Sequence, residues 1–500
     1  MTIETVNREA RLVSGEEACG LVIPVAFLRG YRPARPTLLG VAAECSGLHR
    51  GLRPRALSGA CASTRVVLAE DCESGKPLPC ARSGLHHAWM TTVDTPQGRP
   101  PNLPWPDDTW RFLRDGYLYG SRGFEKVGDD CFRTRLTGRP VIVMRGLSAA
   151  RHFYEGASFD RAPGSVPRSV VRLLQDHGSV QSREGTAHEH RKQVFLRLLP
   201  QSDNEATPLL DIFVEEWAAH AEVAASRAAE VPLLDVASSV LAATAQRWVG
   251  IPRETLRTDD LTSMIDNAGI VGPANWLARA RRRGTERAIG LQLERARLAT
   301  PTTTPVSTIA HHREEGALLP IDTAAVELIN LLRPIVAVAR YIVFAAVALE
   351  WHPEHRQALA SDAAARRRWA HEVRRYFPFF PLIGGRARVP SVWRNVTFST
   401  GDWALLDLYG TDHHPAIWRE PNRFDPARFM GDPAPVVAQG FGDAATTHHC
   451  PGESLTTALC ATAVDHIVNG PDMRLVGRDL RISLRRIPAV PEDRGLARFS

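Results

Sequence analysis

Apolar residues recur at helical spacing over most of the chain beyond residue 90 and alternate with polar ones only in a few short runs. The 3.6-residue period predicts helices within DDTWRFLRDGYLY (107–119), SVPRSVVRLLQDHG (165–178), AHEHRKQVFLRLL (187–199), ATPLLDIFVEEWAAHAEVAA (206–225) and LLDVASSVLAATAQRWVG (233–250). An amphipathic stretch over 276–299 and an apolar one over 323–350 continue the series. TRLTGRPVIVMRG (134–146), VPSVWRNVTFS (389–399) and WALLDLYGT (403–411) read as strand-like pieces, and a short β tail closes the chain. Many helices with a small β part make the class mainly α, of the α+β type.

Residues 1–89 show neither period and are rich in Arg, Gly, Pro, Ser and Cys. Two readings stand for them: a segment that is not translated, with the true start at Met90, or a disordered or metal-binding extension. Residues 90–500 read as one domain, long enough to bury a large core.

The net charge of +6 and the basic pI of 9.0 change little. Lys76, Lys126 and Lys192 are the three lysines, so the positive charge is almost all arginine, spread along the chain. No basic block is interleaved with aromatics as a nucleic-acid groove needs, and an anionic ligand suits the charge as well. Five of the eight cysteines fall before residue 90, too sparse a set afterwards for a disulfide framework. That points to a reducing, cytoplasmic setting. The run 335–349 contains Arg340 and is shorter than the roughly 20 apolar residues a membrane helix needs. It reads as a buried helix, with no integral membrane segment.

The strongest motif is QGFGDAATTHHCPGESLTTALC (439–460). A Gly-rich loop with Gly442 leads to Cys450, and Gly452 opens a helix. Glycines admit close backbone approach to a flat ligand, and a helix N-terminus lowers the pKa of a thiolate. Three readings fit: an axial haem ligand, a buried cysteine after a turn, or a zinc site using Cys450, His448 and His449, with His413 and His414 as further candidates. Upstream, Glu372 and Arg375 stand at i and i+3 on one helix face and can pair. His188 and Lys192, at i and i+4, can face one ligand together.

The Glu372–Arg375 pair placed before the Cys450 loop resembles that of the cytochromes P450. Within LINLLRPIVAVARYIVFAAVALEWHP (328–353), Arg333-Pro334 stands where oxygen-using members carry an acid–threonine pair. This is similar to the fatty-acid peroxygenases of that superfamily. The likeness runs from Met90 to Arg486 and includes FDRAPGSVP, with Arg161, and IDNAGIVGPANW. His449 replaces a usual arginine and Thr447 a usual glycine.

The resemblance implies the triangular, mostly helical P450 fold, with haem b between the central helix and the helix of the cysteine loop. Cys450 would be the axial ligand. His188, Lys192, Arg161 and His448 would bind the propionates, with Gly442 and Gly452 against the ring. A long-chain fatty acid would pair its carboxylate with Arg333 beside Pro334, against Leu174, Phe379 and Phe380. That carboxylate would act as general acid–base towards H2O2, with no obligatory redox partner, giving α- or β-hydroxylation. Gln181 matches a position that is Gln in hydroxylating members and His in a decarboxylating one. The alternatives are a decarboxylase forming terminal alkenes, an O2- and NAD(P)H-dependent monooxygenase, or a haem or lipid carrier without catalysis.

Overall fold

The apolar stretch of the sequence becomes two consecutive buried helices, Ile321–Ala337 and Ala339–Trp351. They form the centre of the fold in the computed structural model. It describes residue 98 and residues 100–500, apart from 177, 228, 271, 471, 472 and 478. The segment 1–89, expected as an extension, lies outside the described residues. Taken together, Ile321–Trp351 is long and apolar enough to cross a membrane, yet 94% of its most apolar window is buried inside the protein. Its apolarity serves the core.

Within the apolar stretch 323–350 the sequence places a helix kink at Pro334, and the chain divides into two helices at Val338. Pro334 has no N–H to give to the carbonyl of Asn330. The helix tightens just beyond it, where the Val338 N–H donates to Ile335 O at 3.1 Å. Helices Leu233–Val249 and Pro273–Leu298 pack on Ile321–Ala337, and the helix Glu453–Asn469 packs on Ala339–Trp351. The expected helices over 206–225, 233–250 and 276–299 are present as Asp203–Ser226, Leu233–Val249 and Pro273–Leu298.

The β part is a five-stranded sheet. Strands Cys131–Leu136 and Arg139–Met144 form a hairpin through Thr137 and Gly138, both at positive φ. That pair matches the two-residue turn whose twist suits a hairpin. Strand Trp403–Asp407 lies parallel to Arg139–Met144, with Ala404 opposite Ile142, and antiparallel to Leu382–Ala387. WALLDLYGT was expected as strand throughout, but the strand stops at Asp407. The Asp407 carboxylate accepts the Gly410 N–H at 2.7 Å and caps the helical turn Leu408–Asp412.

Segment 161–165 lies directly on strand Leu382–Ala387. A Cβ on Gly384 would sit 1.9 Å from the carbonyl oxygen of Ser165. Trp403 Nε1 donates to that same oxygen at 2.9 Å, and Arg386 donates to Gly164 O at 3.1 Å.

Candidate active site

The cysteine loop folds back on itself before the helix Glu453–Asn469. The Cys450 N–H donates to Gln439 O at 2.9 Å, and the His449 ring meets Gly442 O through Nδ1 at 2.7 Å. Gly442 has φ +84° and Gly452 stands at the N-cap of the helix. Gln439 Nε2 lies 3.8 Å from the sulfur of Cys450. The helix start was expected to lower the pKa of Cys450. Burial outweighs it and pushes the thiol above its ordinary value, against the lowering effects of the Gly452 N–H and of Lys192. A metal ion would reverse that balance, since a coordinating thiol loses its proton outright.

Basic groups converge beside this loop. His188 is buried on helix Gly185–Leu198, its ring centroid 4.2 Å from that of His448. Burial, and then the neighbouring His448, push His188 down to about 3. Lys192, one turn on, donates to Thr447 O at 3.1 Å and His449 O at 2.6 Å. Burial pushes it down to about 8. Arg161 donates to Gly384 O at 2.8 Å and lies over the rings of Phe153 and Tyr154. Glu184 meets His448 Nε2 at 3.1 Å and accepts the Arg161 N–H at 2.6 Å. Three of these bases, His188, His448 and Arg161, gather round the Glu184 carboxylate while Lys192 holds the adjoining loop, and burial disfavours the charged forms of all four. Buried basic groups that would be stabilised in their charged forms by an anion, set next to a thiol, fit a group carrying a metal and carboxylates, as haem does.

Glu372 and Arg375 pair as predicted, through two bonds of 2.6 and 2.7 Å, both side chains fully buried. Arg375 also donates to the carbonyls of Asp412, Pro421 and Arg423, and Glu372 accepts the Asp425 N–H. The pair therefore braces segment 412–425. The neighbour Arg374, which sequence reasoning missed, reaches the cysteine loop itself. It pairs with Glu453 and donates to Gln439 Oε1 at 2.8 Å.

On the central helix, Arg333 is buried and bonds only weakly, to Leu173 O at 3.3 Å and Asn330 Oδ1 at 3.4 Å. Burial, and then the charge of Arg282, push its pKa down to about 9, which leaves it cationic at neutral pH. No carboxylate pairs with it among the described residues. The other buried arginines all have one: Arg191 with Glu314 and Glu327, Arg282 with Glu286, Arg340 with Asp266, Arg374 with Glu453 and Arg375 with Glu372. Asn330 links Arg333 to Gln181, whose Oε1 accepts from Asn330 Nδ2 at 3.3 Å. Glu327 completes the polar row, accepting from Val180 N, Arg191 and Asn330. Sequence reasoning missed Asn330 and Glu327.

Leu174 and Phe379 are partly buried against the core, and Phe379 stacks on Tyr341 at 4.7 Å. Phe380 is 42% exposed. The zinc alternative at Cys450 is not assembled. His414 bonds to Asp130 and His413 to Tyr409 O, and no group of three ligand atoms forms around Cys450 among the described residues.

No family model matches the chain. Curated relatives match over a short stretch: abscisic acid 8'-hydroxylase 3 of Oryza sativa is 31% identical over 98 residues, and the chain spans about a fifth (19%) of its length. Solved structures match far more. Cytochrome P450EX alpha (CYP152N1) with myristic acid is 30% identical, with 80% of this chain and 98% of that chain covered and a TM-score of 0.74. A variant of cytochrome P450SP alpha (CYP152B1) is 32% identical, with 79% and 98% covered and a TM-score of 0.75. A variant of cytochrome P450 OleT in complex with arachidonic acid is 27% identical, with 80% and 97% covered and a TM-score of 0.76. With near-complete coverage at this identity, the chain belongs to the cytochrome P450 superfamily and, within it, to the CYP152 fatty-acid peroxygenases, a family of haem-thiolate oxidoreductases.

Proposed function

We propose that the protein uses H2O2 to hydroxylate long-chain fatty acids at the α or β carbon, without a redox partner. The observation that carries this reading is the buried, cationic Arg333 with no carboxylate partner among the described residues. An uncompensated buried charge is costly, and a substrate carboxylate would complete it. Arg–carboxylate pairs are bidentate and directional, so the acid would be held in one orientation with its first carbons next to the reacting centre.

Cys450 would hold the iron of a haem b through its thiolate, and His188, Lys192, Arg161 and His448 would meet its propionates; when bound, the haem would supply the oxidising chemistry. The protein's own residues then have three tasks. Arg333 binds the carboxylate and keeps it ionised. Asn330, bonded to both Arg333 and Gln181, orients the guanidinium. The helix packing around residues 328–337 keeps bulk water away. The bound carboxylate can then serve as general base, taking a proton from one oxygen of H2O2 and returning it to the other, which leaves as water. The sum is RH + H2O2 → ROH + H2O.

The test is to incubate the purified, haem-loaded protein with a long-chain fatty acid and H2O2, without a reductase. 2- or 3-hydroxy acids are the expected products. Turnover only with O2, NAD(P)H and a reductase would overturn the reading. In a second arm, styrene should react only when a short carboxylic acid is added, and the acid should have no effect in Arg333→Ala.

A further inference from the structure

We propose that His190, His312 and Glu314 form a binding site for one divalent transition-metal ion of the zinc class, separate from the cysteine loop. Their ligand atoms all lie within 4.8 Å of one another. The rings of His190 and His312 are 5.3 Å apart, and His312 Nε2 lies 3.8 Å from Glu314 Oε1.

Local structure brings the three together. His190 is exposed on helix Gly185–Leu198. His312 and Glu314 lead into a small hairpin, Arg313–Glu314 with Ala317–Leu318, closed by Glu315 and Gly316 at positive φ. Two residues apart on an extended segment, their side chains share a face. The Leu319 N–H donates to His312 O at 3.2 Å and holds the base of the hairpin. Arg191, next to His190, grips Glu314 through two bonds of 2.5 and 2.6 Å and draws the hairpin against the helix.

Two observations point to a ligand. First, His312 Nε2 is buried with no hydrogen-bond partner, and its side chain is only 10% exposed. A buried ring nitrogen without a partner is uncommon and asks for an explanation, such as an ion. Second, the Glu314 carboxylate has an acceptor position to spare. A carboxylate offers about four lone-pair sites. Arg191 occupies one on each oxygen, and Arg183 approaches Oε2 at 3.2 Å. The remaining position is on Oε1, the oxygen that faces His312. The arginines then act as the outer partners that ligating carboxylates ordinarily have.

Two imidazoles and a carboxylate suit Zn2+ and related ions, not Mg2+ or Ca2+, which prefer all-oxygen shells. An ion here would tie the helix to the hairpin.

The test uses the full-length, haem-loaded protein, washed with a chelator and dialysed against Zn2+. The wild type should bind one more Zn2+ per chain than His190→Ala, a variant whose exposed position spares the fold, and than His312→Ala. Each loss should exceed about 100-fold in affinity, because even outer partners are worth about 10–100-fold. Glu189→Ala, exposed on the same helix, should bind as the wild type does. X-ray absorption at the zinc edge should show nitrogen and oxygen at about 2.0–2.1 Å and no sulfur at about 2.3 Å. Zn2+ should also raise the Tm of the wild type, and of neither histidine variant. Equal Zn2+ binding by wild type and His190→Ala, or a sulfur shell on the difference ion, would overturn the proposal.

Discussion

Arg191 and Lys192 are consecutive on one helix, yet they hold different parts of the protein: Arg191 reaches Glu327 of the central helix at 2.5 Å, and Lys192 reaches His449 O of the cysteine loop at 2.6 Å. The helix Gly185–Leu198 is therefore a strut between the central helix and the cysteine loop. Lys192→Met should remove one cation and both loop bonds. Hydrogen bonds to charged groups are worth about 1.5–3 kcal/mol, or roughly 10- to 150-fold. Haem transfer to an apo-globin acceptor should quicken by that order. Cys450→Ser should in addition abolish the thiolate-type spectrum of the reduced carbon-monoxide complex, along with activity. Unchanged haem retention in Lys192→Met would remove the lysine from the cofactor site.

Arg333→Met separates stability from binding. Removing one partner of a buried ion pair costs about 3–5 kcal/mol, so fatty-acid affinity should fall by about two to three and a half orders of magnitude. In the free protein the arginine has no carboxylate partner among the described residues, so the variant should unfold at a higher Tm than the wild type. If Tm drops with affinity, Arg333 is a structural residue and its binding role fails.

Gln181→His alters the far end of the Arg333–Asn330–Gln181 row. The ratio of terminal alkene to hydroxy acid should rise, as product analysis by gas chromatography would show. An unchanged ratio with activity retained would exclude the position from partitioning.

Asp412 gives a pH signature. Burial pushes its carboxyl up to about 8, although its Oδ1 accepts the Val437 N–H. Unfolded aspartate titrates near about 3.9, so between about pH 4 and pH 8 the unfolded chain loses a proton that the folded one keeps. Stability should fall as pH rises through that window and level off above it. Asp412→Asn keeps an acceptor for Val437 and should flatten the slope. Urea midpoints at pH 5.5 and 8 would check this, and an equal slope in both proteins would refute it.

Much of this was legible in the chain. The period of the long helices, the Glu372–Arg375 pair and the Gly-rich loop before Cys450 are local patterns, and local patterns survive folding. Glu327, Asn330 and Arg333 stand three apart in a helix otherwise apolar from Ala324 on, so that row was readable as one face, although only Arg333 drew notice. Arg374 was hidden because its partner Glu453 lies 79 residues on. The end of the strand at Asp407 depended on a side-chain cap that outweighed the apolar run after it. His190 and His312 are brought together by a hairpin and an arginine, and spacing carried no sign of it.

Deleting residues 1–89 should leave a folded protein that loads haem and turns over. The match to P450EX alpha uses 98% of that chain but 80% of this one, which leaves room for a segment outside the shared fold. Haem loading and far-UV circular dichroism of the truncated chain would decide. Loss of haem would make the segment part of the domain.

The contact between Gly384 and Ser165 sets a mechanical reference for Arg161, one of the bases proposed to meet a haem propionate. Because the strand and segment 161–165 touch backbone to backbone, no side chain acts as a spacer between them. Arg161 begins that segment and returns to Gly384 O. The height of its guanidinium above the sheet is thus gauged by a missing methyl group, and a single added carbon would shift a cation that forms no part of the altered residue.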